Sequence, residues 1–192
     1  MTTAGVLLAA GAGTRFAAPE HKLLATLDGR SVAARSLEAL LDAGLDSVAV
    51  VTGAVDLAGA LDAVGSDRHG GITLLANDHW ESGIASSVVC ATAWAALVGA
   101  EAVVVGLADQ PFVPSAAWRA VAESSGPIAV ATYGGIRGNP VRLGREVWPL
   151  LPHDGDEGAR AVMRRFPEIV VPVACEGLPD DIDTVEDLRR WS

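Results

Sequence analysis

Runs of consecutive apolar residues alternate along this chain with longer segments in which apolar residues recur at helical spacing. The runs cover residues 6–10, 47–52, 72–76 and 102–108, and the segments 31–44, 56–64 and 84–98 between them are predicted to be helices. Unbroken apolar runs of this length are typical of strands buried on both faces of a sheet. The sequence therefore predicts an α/β protein with a mostly parallel sheet covered by helices on both sides.

The second half of the chain is less regular. Residues 114–124 are predicted to be a helix, 128–133 a strand and 137–143 the return arm of a hairpin. A helix at 155–166, a strand at 169–173 and a helix at 183–191 follow. Smaller features are also predicted: an extended piece at 23–27, a helix cap at Ser31 and a polar loop at 66–71. Because no linker or repeat separates these segments, residues 1–192 are interpreted as one domain.

The first apolar run ends in a loop of very small residues, Gly11, Ala12 and Gly13, and two cations, Arg15 and Lys22, follow it. Small side chains allow backbone N–H groups to approach a ligand closely, which is how phosphates are often bound. Lys22 is the only lysine in the chain, and all other basic residues are arginines. A lone lysine behind such a loop indicates a compact ammonium group that contacts phosphate, although chance placement is the alternative.

Two well-known phosphate loops do not fit this stretch. A P-loop requires Gly-Lys followed by Ser or Thr, which is absent. A dinucleotide fingerprint requires Gly or Ala at the position of Phe16 and an acidic residue after the second strand, where Thr52 and Gly53 stand. A nucleotide-binding loop of another kind and a simple strand-to-helix turn both stay open.

Carboxylates occur at two places where a metal ion is expected. Asp109 directly follows the most apolar run, so its side chain is predicted to lie at the carboxyl edge of the sheet. Asp183 belongs to a cluster of three carboxylates before the last helix. Mg²⁺ takes one or two carboxylates and completes its shell with water and phosphate oxygens. The alternatives are a turn at Asp109 and a helix cap at Asp183.

Composition excludes several classes of protein. The net charge of −10 argues against a general nucleic-acid binder. Cys90 and Cys175 lie far apart without a zinc-ligand pattern, and are interpreted as free thiols in a reducing cytoplasm. No signal peptide is indicated. The uncharged run at 82–100 could cross a bilayer by its length, but its small residues favour a buried helix, so no membrane partner is expected.

Taken together, the motifs resemble those of the nucleotidyltransferases of molybdenum cofactor biosynthesis. The matching residues run in the same order as in that family: segment 8–16 with Lys22, Asn77, Trp80, Gly83, Ser86, Ser87, and segments 107–111, 138–141, 155–160 and 181–188. The Leu-Ala-Ala-Gly and Leu-Ala-Asp-Gln-Pro forms are more similar to the cytidylyltransferase branch than to the guanylyltransferase branch.

The resemblance implies a Rossmann-like three-layer sandwich of the nucleotide-diphospho-sugar transferase type, a Mg²⁺ cofactor and CTP as substrate. CMP would be transferred to a phosphorylated acceptor, molybdopterin or molybdenum cofactor, with a molybdoenzyme or its chaperone as a possible partner. The implied catalytic residues are Lys22, Arg15 and Asp109, and the implied metal ligands are Asp109 and Asp183. Those implied for the nucleotide are Leu8, Ala9, Ala10, Gly11, Ala12, Gly13, Gly83 and Ser87, and those for the acceptor are Asn139, Pro140 and Asp156.

Two departures from the family pattern lie close together. Ala17 follows Phe16 where the family has Gly, and Lys22 comes seven residues after Arg15 instead of five, with an insertion around residues 18–21.

On the helix after Gly158, Arg160, Arg164 and Arg165 could meet an anionic ligand or simply face water. Two rival functions remain: an NAD(P)H-dependent oxidoreductase acting on a heteroaromatic substrate, and a non-catalytic cofactor-binding protein.

Overall fold

The computed structural model describes residues 2–65 and 71–191. The predicted polar loop at 66–71 therefore lies almost wholly outside the described residues. The strands are β1 (Thr3–Ala9), β2 (Thr26–Leu27), β3 (Arg30–Ser31), β4 (Ser47–Thr52), β5 (Thr73–Ala76), β6 (Ala102–Leu107), β7 (Ile128–Tyr133), β8 (Ile136–Gly144) and β9 (Val170–Ala174). The α-helices are α1 (Val32–Asp42), α2 (Ala58–Gly65), α3 (Ile84–Leu97), α4 (Ser115–Glu123), α5 (Ala159–Arg165) and α6 (Val185–Arg190).

Seven of these strands form one sheet in the order β5-β4-β1-β6-β8-β7-β9. All neighbouring pairs are parallel except those that include β8, which runs antiparallel to both β6 and β7. Strands β1, β4, β5 and β6 therefore end at the same edge of the sheet. In the register of β1 with β6, Leu8 lies opposite Leu107. This register brings the loop after β1 next to the loop after β6.

The sheet divides the core into two halves. Leu7 and Ala9 of β1 face the side covered by α1, α2 and α4, where Leu37 and Trp118 are buried. Val6 and Leu8 face the side covered by α3 and α5. Because adjacent residues of a strand point to opposite faces, an unbroken apolar run supplies both halves of the core. The predicted α/β sandwich with a mostly parallel sheet is confirmed.

The predicted cap of α1 is also confirmed, since the Ser31 hydroxyl accepts a hydrogen bond from the Ala34 N–H at 3.2 Å. Several boundaries differ from prediction. Residues 22–25 form turns instead of an extended piece, because Leu24 and Ala25 both donate backbone N–H groups to His21. Helix α5 begins at Ala159, after a loop with positive φ at Gly155 and Gly158. Helix α6 begins at Val185, two residues later than predicted.

The uncharged run at 82–100 forms α3 and the turns at its two ends. Its residues Ala85, Val88, Ala91 and Ala95 are buried against the sheet. In the part of the chain that the structure describes, no helix combines the length and apolar character needed to span a membrane.

Candidate active site

The candidate site lies at the carboxyl edge of the sheet, where the loops after β1 and β6 meet. The Ala108 N–H donates to the Leu8 carbonyl at 3.0 Å, so β6 follows β1 to its end before Asp109 turns away. No helix follows β1 directly, because the chain passes through the loop at 10–25 and the β2–β3 hairpin before α1 begins. The alternative of a simple strand-to-helix turn is thereby excluded.

Lys22 occupies the centre of the site. Its Nζ donates to Asp109 Oδ2 at 2.6 Å and to Asp183 Oδ1 at 2.7 Å. Arg15 Nη1 lies 2.7 Å from Asp183 Oδ2, so two cations and two carboxylates form one cluster. Lys22 is largely buried whereas Arg15 is exposed. The insertion before Lys22 does not keep this side chain out of the site.

The two carboxylates hold Lys22 in its charged form. Burial by itself would lower the pKa of Lys22, but the charges of Asp109 and Asp183 and their hydrogen bonds outweigh burial and raise the pKa above its ordinary value. The cluster is formally neutral, with Arg15 and Lys22 balancing Asp109 and Asp183. A phosphate ligand would therefore gain the full benefit of the two cations only if another positive charge compensated the carboxylates.

Asp183 reaches the cluster through the segment that precedes α6. Ile182 is fully buried, and its backbone N–H donates to the Asp109 carbonyl at 2.8 Å. The cap of α6 is Thr184, whose hydroxyl accepts from the Asp187 N–H, while the Asp187 carboxylate accepts from the Thr184 N–H. The Asp183 carboxylate is therefore not the helix cap, and it is directed to the two cations.

A cavity of about 210 Å³, called the smaller cavity below, opens beside this cluster. The structure brings these predicted residues to its wall: Leu8, Ala9, Gly11, Gly13, Arg15, Lys22, Asp109 and Asp183. Thr14 and Leu23 line it as well and were not predicted. Ala10 and Ala12 do not line it. The Ala10 carbonyl is occupied by the Ala54 N–H, and the Ala10 side chain belongs to the core on the α3 side.

His21, within the insertion, braces the small-residue loop. Its Nδ1 accepts from the Leu23 N–H at 3.2 Å, and its Nε2 lies 3.1 Å from the Gly11 carbonyl. With Nδ1 as acceptor, Nε2 carries the proton and donates to Gly11. A Cβ on Gly13, which has φ +61°, would lie 2.9 Å from Nε2. Burial lowers the pKa of His21 below its ordinary value, and the charge of Lys22 lowers it further, although the hydrogen bond to Gly11 opposes both.

The donor set fits a hard divalent cation. Asp109 Oδ1 is buried and has no hydrogen-bond partner among the residues that the structure describes, although such an oxygen normally requires one. Asp183 stands close by, joined to Asp109 through Lys22. Within residues 2–65 and 71–191, no group of three or more His, Cys, Asp or Glu residues could hold a metal on its own. Two carboxylates suit Mg²⁺, which completes its shell with substrate phosphate oxygens.

Gly83 directly precedes α3 and Ser87 lies in its first turn, and neither lines the smaller cavity or the second cavity, which lies between the sheet, α3 and α5. The Asn77 amide donates to the hydroxyls of Ser86 and Ser87 at 2.9 and 3.0 Å, and all three side chains are buried. Gly83 has φ +101°, and a Cβ there would lie 2.4 Å from the Gly155 carbonyl oxygen. Gly83 therefore allows the loop before α5 to pack on the start of α3.

A second cavity of about 450 Å³, called the larger cavity below, lies between the sheet, α3 and α5. Asn139 and Asp156, two of the three residues that the resemblance implies for the acceptor, line it. Pro140 does not, since it is buried and faces a small void beside Trp118 and Gln110. Leu8 lines both the smaller and the larger cavity, so the two adjoin at the end of β1.

Hydrogen bonds connect the β7–β8 hairpin to the segment that carries Asp183. The Asn139 amide donates to Gln110 Oε1 at 3.2 Å, and Gln110 Nε2 donates to Asp181 Oδ1 at 2.7 Å and to the Pro179 carbonyl at 3.0 Å. The Tyr133 hydroxyl donates to the Asn139 carbonyl at 2.7 Å. This network holds the wall of the larger cavity against the cluster around Lys22.

The three arginines for which an anionic ligand or water were the alternatives have different surroundings. Arg164 forms a fork with the Glu157 carboxylate, and Arg165 lies over the Phe166 ring at 5.1 Å from its centroid. Arg160 and Arg164 line the larger cavity, and so does Arg137 of β8, which was not predicted as a site residue. Arg137 lies exposed in a hairpin, and the sequence around it gave no signal for a binding role.

The chain is similar to one known sequence family and to several solved structures. The family described as the MobA-like NTP transferase domain matches residues 5–170. No curated protein sequence matches the chain. A nucleotidyl transferase from Methanothermobacter thermautotrophicus is similar in structure, with a TM-score of 0.81 and 23% identity over 98% of this chain and 95% of that one.

Two further solved structures are similar. A manganese complex of Rv0371C from Mycobacterium tuberculosis H37Rv has a TM-score of 0.75 and 26% identity, over 100% of this chain and 98% of that one. The inositol-1-phosphate CTP transferase from T. maritima has a TM-score of 0.77 and 19% identity, over 97% of this chain and 91% of that one. The similarity to the Methanothermobacter protein, at 23% identity, and to the T. maritima protein, at 19% identity, shows a shared fold alone.

Proposed function

Because the chain belongs to the family of MobA-like NTP transferase domains, we propose that it transfers CMP from CTP to a phosphorylated acceptor and releases pyrophosphate. The observation that carries this proposal is the cluster of Lys22, Asp109 and Asp183 beside the small-residue loop. The preference for CTP rests on the cytidylyltransferase-like motifs, and the preferred acceptor is molybdopterin or molybdenum cofactor. A molybdoenzyme or its chaperone would receive the product. We also propose a cytoplasmic location, where CTP is available.

In the proposed reaction, a terminal phosphate oxygen of the acceptor attacks the α-phosphorus of CTP. The new P–O bond replaces the bond to the bridging oxygen between the α- and β-phosphates, and pyrophosphate leaves with that oxygen. A phosphate nucleophile is already ionised near neutral pH, so the site needs no general base. Rate acceleration then comes from alignment of the two substrates and neutralisation of their charges.

Each charged residue has a defined part in this mechanism. Lys22 and Arg15 neutralise the triphosphate and the pyrophosphate that leaves. The backbone from Ala9 to Gly13 holds base and phosphates, braced by His21. Asp109 and Asp183 would hold Mg²⁺, and the partnerless Oδ1 of Asp109 supports this assignment. When bound, the ion supplies positive charge to phosphate oxygens. With such an ion in place, the carboxylates would no longer depend on Lys22 for compensation, and the Lys22 ammonium group would be available to the substrate.

Thermal shift with CTP, GTP, ATP, UTP, NADH and NADPH, each with and without Mg²⁺, tests the proposal. A ligand at about 100 times its Kd stabilises the folded state by about 2.7 kcal/mol. We expect CTP with Mg²⁺ to give the largest shift, followed by pyrophosphate release when molybdopterin is added. A shift with NADH or NADPH that is indifferent to metal would support the oxidoreductase instead. Binding of CTP without pyrophosphate release from any acceptor would support the non-catalytic binding protein.

A further inference from the structure

The larger cavity has apolar walls on three sides. Val105, Val130 and Val141 of the sheet form its floor, Ile84 and Val88 of α3 one side, and Met163 of α5 the other. Its volume of about 450 Å³ is in the range of small-molecule sites. A hydroxyl group placed against these side chains would lose its hydrogen bonds to water without replacement. The walls therefore favour a ligand with an apolar or aromatic body over a polyol.

Unpaired positive charge borders the same cavity. Arg137 and Arg160 line it, and neither makes an ion pair or a side-chain hydrogen bond with the residues that the structure describes. Glu157 is already paired with Arg164. The Asp156 carboxylate lies at the N-terminus of α3, against Gly83, where the helix dipole favours a negative charge. In a chain of net charge −10, two uncompensated arginines at one cavity indicate an anionic ligand.

The position of the cavity separates this anion from the reacting phosphate. The larger cavity adjoins the smaller one only at Leu8, whereas Lys22, Arg15, Asp109 and Asp183 all line the smaller one. A phosphate that reacts beside Lys22 is therefore bound by a different set of cations from an anion held by Arg137 and Arg160.

We propose that the larger cavity binds the non-reacting part of the acceptor, and that this part is an apolar or aromatic body with its own negative charge. Arg137 and Arg160 bind that charge, and the valines, Ile84 and Met163 bind the body. The assignment to the acceptor rests on the proposed nucleotidyl transfer. A compact polyol phosphate such as inositol 1-phosphate lacks both the apolar body and the second charge, and is a poor fit.

The probe for this proposal is 8-anilinonaphthalene-1-sulfonate (ANS), an aromatic anion whose fluorescence rises in apolar sites. We expect saturable binding of one ANS per folded wild-type chain. The Arg137→Ala, Arg160→Ala double variant should bind ANS about 10-fold more weakly, since it lacks two charge-assisted contacts. The matched control is Arg165→Ala with Arg189→Ala, which removes the same charge from exposed arginines outside the cavity. This control should bind ANS as the wild type does.

Competition identifies the ligand class and the occupant. 1-Naphthyl phosphate should displace ANS, inositol 1-phosphate at the same concentration should not, and CTP with Mg²⁺ should leave ANS bound. Equal ANS affinity in the wild type and the arginine double variant would overturn the proposal. So would displacement of ANS by CTP, which would assign the cavity to the nucleoside, or equal displacement by the two phosphates. Unchanged melting temperatures of both double variants exclude ANS binding to unfolded chain as the source of the signal.

A separate measurement distinguishes failure of this inference from failure of the proposed function. Thermal stabilisation of the wild type by CTP with Mg²⁺ reports the nucleotide site without any acceptor. Arginine-dependent ANS binding without a CTP response supports the chemistry of the cavity and overturns its assignment to nucleotidyl transfer. A normal CTP response with arginine-independent ANS binding overturns the cavity inference alone.

Discussion

At the scale of single residues, Lys22 is the group on which most of the site's charge balance depends. Its ammonium group compensates the carboxylates of Asp109 and Asp183. The same ammonium group is proposed to neutralise phosphate when CTP binds. Substitutions of Lys22, Asp183 and His21 test three different parts of this arrangement.

Lys22→Ala is expected to lower the rate of CTP-dependent pyrophosphate release by about 10²-fold or more, because a cation near the developing charge contributes a few kcal/mol to transition-state stabilisation. The rate is measured at saturating CTP and Mg²⁺. Arg30→Ala, which removes an exposed cation paired with Glu38, should leave the rate unchanged. Normal turnover by Lys22→Ala would refute the phosphate role.

Asp183→Asn tests the metal ligand. An amide oxygen can still ligate Mg²⁺ but carries no charge, so we expect a modest loss of rate and a higher Mg²⁺ concentration for half-maximal activity. Thr184→Ala is the control, because it removes the cap of α6 and leaves the Asp183 carboxylate in place. It should lower stability by about 1 kcal/mol without a change in Mg²⁺ dependence. An unchanged Mg²⁺ titration curve for Asp183→Asn would rule out ligation by this residue.

His21 makes stability depend on pH. Its pKa in the folded protein lies below the ordinary value of 6.5, so the unfolded chain takes up the proton first as the pH falls. The stability present above pH 6.5 is therefore lost as the pH falls through 6.5 towards the folded pKa. The drop in melting temperature from pH 7.5 to 5.5 should be smaller in His21→Gln than in the wild type. The exposed His153→Gln serves as control, and equal drops in all three proteins would contradict the prediction.

At the scale of elements, the contact between α3 and the loop before α5 forms one end of the larger cavity. Gly83 begins this contact, since the Gly155 N–H donates to the Ser82 carbonyl and the Ala85 N–H donates to the Gly155 carbonyl. A side chain at position 83 would meet both a positive φ and the backbone of Gly155. Helix and loop are therefore held together by a residue that tolerates almost no substitution.

Gly83→Ala is expected to lower the free energy of unfolding by about 1–3 kcal/mol, the usual cost of strained backbone at a non-glycine residue. Urea denaturation measures this change, and ANS binding should weaken because the loop lines the cavity. Gly59→Ala in α2 is the matched control. A Cβ there meets nothing within 4 Å, and alanine favours helix, so stability should stay equal or rise. Equal stability of Gly83→Ala and the wild type would show that the loop moves aside at no cost.

At the scale of the whole molecule, the site depends on both ends of the chain. Lys22 and Asp183 are 161 positions apart in sequence, but Lys22 Nζ lies 2.7 Å from Asp183 Oδ1. The family match ends at residue 170, before the segment that supplies Asp183. Ile182 anchors that segment in the core beside Asp109.

Ile182→Ala should therefore reduce both stability and activity. Loss of a fully buried isoleucine costs about 2–5 kcal/mol. The rate of pyrophosphate release by the fraction that remains folded should also fall, since Asp183 loses its support. Leu178→Ala, on the same segment but exposed, should change neither property. Loss of stability with an unchanged rate per folded molecule would show that the position of Asp183 does not depend on Ile182.

The elements of the fold could be predicted from the sequence because their signals are local. Unbroken apolar runs identified β1, β4, β5 and β6, and helical spacing with Ser31 identified α1. The sequence also predicted that Asp109 would end a buried strand at the carboxyl edge. It failed at residues 23–25, which form turns because the backbone bonds locally to His21, whereas Thr26 and Leu27 of the same predicted piece do form strand β2. Local periodicity cannot distinguish an extended piece from a buried turn.

The sequence by itself determined a mostly parallel α/β sheet, a small-residue loop, one lysine and two candidate carboxylates. The tertiary structure decided that Lys22 lies between Asp109 and Asp183, that Thr184 caps α6, and that Arg137 and Arg160 border one apolar cavity. The physical reason is that strand and helix preferences act over a few neighbouring residues. Charge pairs and cavities arise only when the register of β1 with β6 and the burial of Ile182 bring distant segments together.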